Sequence, residues 1–156
     1  MKAWVVTLSI FFVAGCVPWP HSTNLTPGVA GALLVEGNPK VGAPLRVVAS
    51  DPEGRGAPCE GKSHEFKTTS EGKFYGPPVR TFRFFLVVMG HTSFPWAVCV
   101  KQDSTWAPLY QDKTYTLIDT GPWFLVEMSC HDMTCEAKKN LQPTPELIES
   151  LEKRNE

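Results

Sequence analysis

Residues 29–49 have the sequence VAGALLVEGNPKVGAPLRVVA. The apolar run at 29–36 predicts a first strand, and the cluster of asparagine, proline and glycine at 38–42 predicts a turn. A second strand is expected at 44–49, because apolar side chains alternate there onto one face. The stretch therefore predicts two neighbouring strands joined by a tight turn.

The rest of the chain repeats this succession of short strands and turns, punctuated by 14 prolines and 12 glycines. Only the C-terminus predicts a helix, because Thr144 can cap it, Pro145 suits its first turn and residues 147, 148 and 151 form an apolar stripe. Further strands are predicted at 65–69, 74–75, 80–89, 95–101, 106–110, 113–117 and 123–129. The expected fold is all-β: an antiparallel sandwich of about seven strands with a short C-terminal helix.

Three segments carry a resemblance to a known fold family. Residues 27–33 form a strand after Pro-Gly, residues 37–47 follow G-x-P-x-x-G with a strand, and residues 68–74 match T-x-x-x-G-x-F. Together they resemble the transthyretin-like, carboxypeptidase-regulatory-like sandwich over residues 27 to about 90. The pattern predicts that Gly72 supplies a turn and that Phe74 enters the core. The resemblance implies a fold and leaves the activity open, since such sandwiches host many functions.

The N-terminus carries an export pattern. Lys2 provides a positive charge, and Ala3–Ala14 form an apolar region that is shorter than a membrane span of about 20 residues. The region ends in Val13-Ala14-Gly15-Cys16, which resembles the lipobox of bacterial lipoproteins. The resemblance implies cleavage before Cys16 and lipid attachment to its thiol. The alternative is an ordinary secretory signal that leaves Cys16 as a fifth mature cysteine.

Location and domain organisation follow from this pattern. Val17 stands where inner-membrane lipoproteins of enterobacteria carry Asp, so the resemblance favours the outer membrane with the domain facing the periplasm, over the inner membrane or the cell surface. The predicted divisions are a signal peptide at 1–15, a lipidated tether at 16–27, a single sandwich domain at 28–140 and a helical tail at 141–156.

The charge balance excludes one class of partner. Lys2 is the only charged residue of the signal segment, so 14 of the 15 Lys and Arg residues remain in the mature chain against 16 Asp and Glu residues. A chain with this slight negative charge is not expected to bind nucleic acid or to anchor through a polybasic patch. The membrane contact is expected through the N-terminal lipid.

Four cysteines remain once Cys16 is lipidated: Cys59, Cys99, Cys130 and Cys135. In an oxidising compartment they predict two disulfides, for which three pairings exist. A small loop between Cys130 and Cys135 is sterically possible and leaves Cys59 to pair with Cys99. This pairing is favoured.

The same region permits a metal site as an alternative. Cys130, His131, Met133 and Cys135 offer thiolate, imidazole and thioether ligands, which suit Cu(I), and Cys/His sets also bind zinc. Export to an oxidising space favours the disulfide instead. We therefore expect neither a metal nor another cofactor.

Candidate contact residues come from aromatic side chains and loops. Trp96 and Trp123 lie in apolar strand patterns, which predicts that they pack in the core. Trp106 follows the polar run Asp103-Ser104-Thr105 and is the better candidate for an exposed contact, together with His91 and Phe94 in a predicted loop. The apolar stripe of the C-terminal helix is expected to pack on the sandwich, although it could instead bind a partner.

No motif for catalysis is present. The four histidines are scattered, and the C-terminal Tyr-Arg-Gly-Ser signature of hydroxyisourate hydrolases within the transthyretin-like group is absent. The sequence thus predicts a non-enzymatic envelope lipoprotein that binds a periplasmic or envelope protein. By resemblance, it could be an immunity protein against a delivered toxin or an assembly component of a secretion system or envelope complex. The alternative is a carbohydrate-binding or metal-binding lipoprotein.

Overall fold

The computed structural model describes residues 16–50, 56–87, 92–116, 124–142 and 144–153. These ranges are almost entirely β-structure and end in one short helix, which confirms the predicted all-β class. The strands are β1 (Cys16–Asn24), β2 (Gly28–Val35), β3 (Asn38–Pro39), β4 (Pro44–Ala49), β5 (Lys62–Lys67), β6 (Lys73–Gly76), β7 (Arg80–Val87), β8 (Thr92–Gln102), β9 (Thr105–Thr116), β10 (Leu125–His131) and β11 (Thr134–Leu141), and the helix is α1 (Pro145–Glu152).

The described strands form three sheets. A five-stranded sheet has the order β11-β10-β2-β3, with β6 also paired to β2, and a four-stranded sheet has the order β5-β4-β8-β9. Strands β1 and β7 make a two-stranded ribbon, which we call the arm. One pair departs from the expected antiparallel pattern, because β10 returns from the four-stranded sheet to lie parallel to β2.

The two large sheets pack face to face around one apolar core. The core contains Val29, Leu33 and Phe74 from the five-stranded sheet and Val47 and Val98 from the four-stranded sheet, all buried. Because side chains alternate along a strand, the neighbouring residues point to the outer faces of the sandwich. Each sheet therefore has an outer face that needs its own cover.

Several predicted strands match the observed ones, including 44–49, which has the same bounds as β4. The strands predicted at 106–110 and 113–117 are one continuous strand, β9. Strand β11 escaped prediction because it carries many charged side chains, as is typical of an edge strand. With eleven strands in the described ranges, the predicted number of about seven was too low.

Within the stretch 16–27, which was predicted to be a lipidated tether, Cys16–Asn24 form strand β1. The stretch contains Pro18 and Pro20, and proline disfavours the interior of a sheet. A two-stranded ribbon leaves the outer edge of each strand unpaired, and prolines are tolerated on such edges. The pairing with β7 also has an irregularity between Pro18 and His21.

Two tight turns close the same end of the five-stranded sheet. Glu36 and Gly37 between β2 and β3, and Asp132 and Met133 between β10 and β11, all have positive φ angles, as two-residue hairpin turns require. The Oδ1 atom of Asp132 accepts a hydrogen bond of 2.7 Å from the backbone N–H of Glu36. This bond ties the two turns together.

Candidate functional site

The outer face of the five-stranded sheet is partly covered by helix α1. Thr144 caps the helix and accepts a hydrogen bond of 3.3 Å from the backbone N–H of Leu147, and Pro145 lies in the first turn, as predicted. The backbone N–H of Glu146 and the Thr144 hydroxyl hold the pKa of the Glu146 carboxyl below its usual range. The local sequence thus determines where the helix begins.

The apolar stripe of α1 packs on the sheet, which confirms the first of the two predicted roles for this stripe. Leu151 is buried and Leu147 half-buried in a cluster with Ala30, Tyr75 and Leu125. The helix does not fill the whole outer face. It leaves an open groove with a volume of about 420 Å³.

The floor of the groove is made of the smallest side chains in the sheet. Ala30, Gly31 and Ala32 lie in β2, the central strand between β10 and β6. A Cβ atom at Gly31 would lie 2.4 Å from the carbonyl oxygen of Met128, so only glycine fits this close approach of β2 to β10. Ala30 and Ala32, whose short side chains point to the outer face, keep the floor low, while Tyr75 and the leucines of α1 stand above it.

The rim of the groove is charged. Lys73 and Lys138 line it from opposite edges of the sheet, with Glu127 from β10 between them. Lys73 forms an ion pair with Glu71. Apolar walls with a charged rim suit a ligand or partner segment that presents an apolar side chain together with polar or acidic groups.

The described cysteines pair as favoured from the sequence. Cys59 is bonded to Cys99, and Cys130 to Cys135, with Cα–Cα distances of 6.0 and 4.0 Å. The metal-site alternative requires Cys130 and Cys135 as thiolates. Their sulfur atoms are bonded to each other in a disulfide and are therefore not thiolate ligands. His131 is the last residue of β10 and Met133 lies in the turn of the same hairpin, and the Nε2 atom of His131 lies 3.1 Å from the Ser129 hydroxyl. In the described ranges, no group of three or more His, Cys, Asp or Glu side chains could hold a metal ion.

Trp106 does not form the open contact expected from its polar neighbours. It is half-buried and packs against Val48 and the Cys59–Cys99 bridge. The guanidinium carbon of Arg46 lies 4.1 Å from the centroid of a Trp106 ring, and Arg46 also donates a hydrogen bond to the backbone carbonyl of Cys59. Burial lowers the pKa of Arg46 below its ordinary value. Asp103 and Ser104 form the turn between β8 and β9, so their polarity carries no information about the exposure of the side chains that follow.

The other predicted contact residues have different outcomes. His91 lies outside the described residues, as does Trp123. Phe94 belongs to β8, where its backbone pairs with Thr114, so it is not in the loop expected for it. Trp96 is 2% exposed, which confirms its predicted place in the core.

Cys16 is the first residue of β1, and its backbone pairs with Val87 of β7. It therefore lies at the end of the arm that is farthest from the β2–β6 pair. On β7, Phe82 and Phe84 are 68% and 58% exposed.

The groove itself escaped prediction. Its sequence signal is the run Ala30-Gly31-Ala32, which leaves space on the outer face of a strand, together with a helix whose stripe needs a partner surface. Neither signal indicates that these segments meet, because about 110 residues separate them along the chain.

Comparisons with protein-family models, with curated proteins and with solved structures gave no significant match. Within the described ranges, no helix has the length and hydropathy needed to span a bilayer. The fold and the disulfides define an all-β, disulfide-linked sandwich. Its transthyretin-like character and its lipoprotein character stay predictions from the sequence.

Proposed function

We propose that this protein is a non-catalytic lipoprotein of the bacterial envelope that binds another periplasmic or envelope protein. The observation that carries the proposal is the groove beside α1. Its apolar walls and its charged rim on a rigid sheet have the composition of a protein-binding surface. The export pattern and the lipobox resemblance at Cys16 support an anchored protein that meets its partner at a membrane.

In this proposal, the partner places an apolar side chain over Ala32, beside Tyr75 and the leucines of α1. Lys73 and Lys138 then face acidic or carbonyl oxygens of the partner at the two sides of the groove. Such an anchor in a pocket, surrounded by a polar rim, is the usual arrangement of a binding hot spot. The identity of the partner separates an immunity role from an assembly role.

The binding test blocks the groove. In Ala32→Phe, a large side chain fills the floor, and aromatic side chains are well tolerated in strands. The matched control is Ser63→Phe, which adds the same side chain to an exposed position of β5 in the other sheet. Both variants are made in chain 16–156 with Cys16→Ser, produced in an oxidising compartment and used to capture proteins from an envelope extract.

We expect the unblocked chain and Ser63→Phe to retain one protein stoichiometrically and Ala32→Phe to lose it. Calorimetry with the purified partner should then give a 1:1 complex. Retention of no protein by a folded, oxidised chain would contradict the protein-binding proposal. Equal retention by Ala32→Phe would move the binding surface away from the groove.

The lipid anchor is tested separately. Mass spectrometry of the full chain extracted from membranes should show loss of residues 1–15 and an acylated Cys16. In Cys16→Ser the acylation should be absent. An unmodified Cys16 in the extracted chain would contradict the anchor without affecting the groove.

We also propose that the sandwich is of the transthyretin-like type. Phe74 is buried, as the pattern requires, and Gly37, Gly42 and Gly72 all have positive φ angles. These four residues support the resemblance at the positions where the pattern makes structural demands. An experimental structure with a different strand connection would contradict it.

A further inference from the structure

One face of the arm presents aromatic side chains to solvent. Arg80, Phe82 and Phe84 alternate along β7 and therefore share a face. Phe82 and Phe84 belong to the few large apolar side chains among the described residues that are more than half exposed. Neighbouring exposed apolar side chains of this size mark an interaction surface.

The side chains described on the opposite face of the arm are less exposed than these two phenylalanines. His21 and Thr23 of β1 lie on the opposite face, since they pair directly with Arg83 and Thr81, and they are 9% and 1% exposed. The arm thus buries His21 and Thr23 on one face, while Phe82 and Phe84 remain more than half exposed on the other, outer face.

The charges of the arm favour an anionic partner. Neither β1 nor β7 contains an aspartate or a glutamate. Arg80 is exposed on the outer face, where its Nε atom donates a hydrogen bond of 3.0 Å to the side chain of Asn24. A surface with aromatic rings, a cation and no carboxylate is typical of segments that lie in the interface of an anionic bilayer.

The position of Cys16 favours a lipid surface, and not a soluble protein, as the partner of the outer face of the arm. Cys16 pairs with Val87, and at about 3.4 Å per strand residue Phe84 and Phe82 lie roughly 10 and 17 Å from that pair along β7. The order along the arm is therefore Cys16, Phe84, Phe82 and Arg80. A lipid on Cys16 would hold the beginning of this row at the bilayer surface.

We propose that the outer face of the arm lies on the membrane, with Phe82 and Phe84 in the interface and Arg80 toward the lipid phosphates. The inference rests on the lipid anchor proposed for Cys16 and adds a second membrane contact to it. Two such contacts would fix the orientation of the sandwich relative to the bilayer, whereas a flexible tether would leave the orientation free.

The test measures binding of chain 16–156 with Cys16→Ser, which contains all the described residues, to vesicles of phosphatidylcholine and phosphatidylglycerol at 3:1. We expect Phe82→Ser/Phe84→Ser to lower the partition coefficient at least about tenfold. Arg80→Gln should lower it about fivefold in these vesicles and leave it unchanged in pure phosphatidylcholine. The matched control is Val41→Ser, which removes an apolar side chain that is 61% exposed outside the arm.

The result that supports the proposal is a loss in the arm variants and no loss in Val41→Ser, with unchanged circular dichroism. Equal partitioning of all variants would overturn it. A dimer of the Cys16→Ser chain in solution that Phe82→Ser/Phe84→Ser dissociates would also overturn it, because the face would then bind a second copy. Acylation of Cys16 is measured independently by mass, so failure of the anchor and failure of the arm are distinguishable.

Discussion

A segment of the chain covers part of the outer face of each large sheet. The two covering segments are held in different ways. On the four-stranded sheet, the segment that carries Cys59 is bonded covalently to Cys99, and Arg46 stacks on Trp106 beside the bridge. On the five-stranded sheet, helix α1 packs through Leu147 and Leu151 on a cluster that contains Tyr75.

The groove lies beside helix α1, the cover that no disulfide attaches to its sheet. A disulfide limits how far its cover can move, whereas we expect a helix of eight residues that is held by apolar packing to adjust more easily to a partner. We therefore expect the more adaptable surface on the five-stranded sheet. The difference can be measured with variants that remove the disulfide of one cover or a packing contact of the other.

The largest loss of stability is expected from the double substitution Cys59→Ala/Cys99→Ala. This bridge spans 40 residues of sequence, so its removal should lower the free energy of unfolding by about 4 kcal/mol through the entropy of the unfolded chain. Cys130→Ala/Cys135→Ala is the matched comparison, because its separation of 5 residues corresponds to only about 2 kcal/mol. Urea unfolding of both variants measures the two losses. A larger loss for Cys130→Ala/Cys135→Ala than for Cys59→Ala/Cys99→Ala would contradict the loop-closure explanation.

A smaller effect is expected from Leu151→Ala, which removes the most buried contact of α1. We expect a loss of about 2 kcal/mol and faster hydrogen exchange confined to α1. The control is Glu149→Ala, which breaks an exposed ion pair with Lys153 and should cost at most about 0.5 kcal/mol. Exchange that accelerates equally throughout the sandwich would mean that α1 is not a separable cover.

The smallest effect concerns the stack beside the covalent cover. A double-mutant cycle with Arg46→Met and Trp106→Leu should give a coupling energy of about 1 kcal/mol, because the guanidinium lies over the ring in a partly desolvated site. Thermal unfolding of the four proteins measures this energy. Additive effects of the two substitutions would show that the ring serves only as apolar cover for the bridge.

Local patterns in the sequence predicted much of the fold correctly. Strand β4 has its predicted bounds, and Thr144 caps the helix as expected, because alternation and capping depend on neighbouring residues alone. Strand β1 contradicted its local signals. Its prolines disfavour a strand in isolation, and its pairing partner β7 lies about 60 residues further along the chain.

The candidate sites were predicted less well than the fold. The favoured disulfide pairing agrees with the structure, since an even number of cysteines allows few pairings. Trp106 was expected at an exposed contact and instead packs on the Cys59–Cys99 bridge beneath Arg46. Its environment is built by three segments that are distant in sequence, which no local pattern encodes.

The sequence by itself determined the all-β class, the terminal helix and the residues available for disulfides, because strand alternation, helix capping and cysteine number are properties of short segments. The tertiary structure alone decided that β10 lies parallel to β2, that α1 leaves a groove above Ala30 and Ala32, and that Phe82 and Phe84 face outward. These features depend on which distant segments meet and in which register. That outcome is set by the packing of the whole chain.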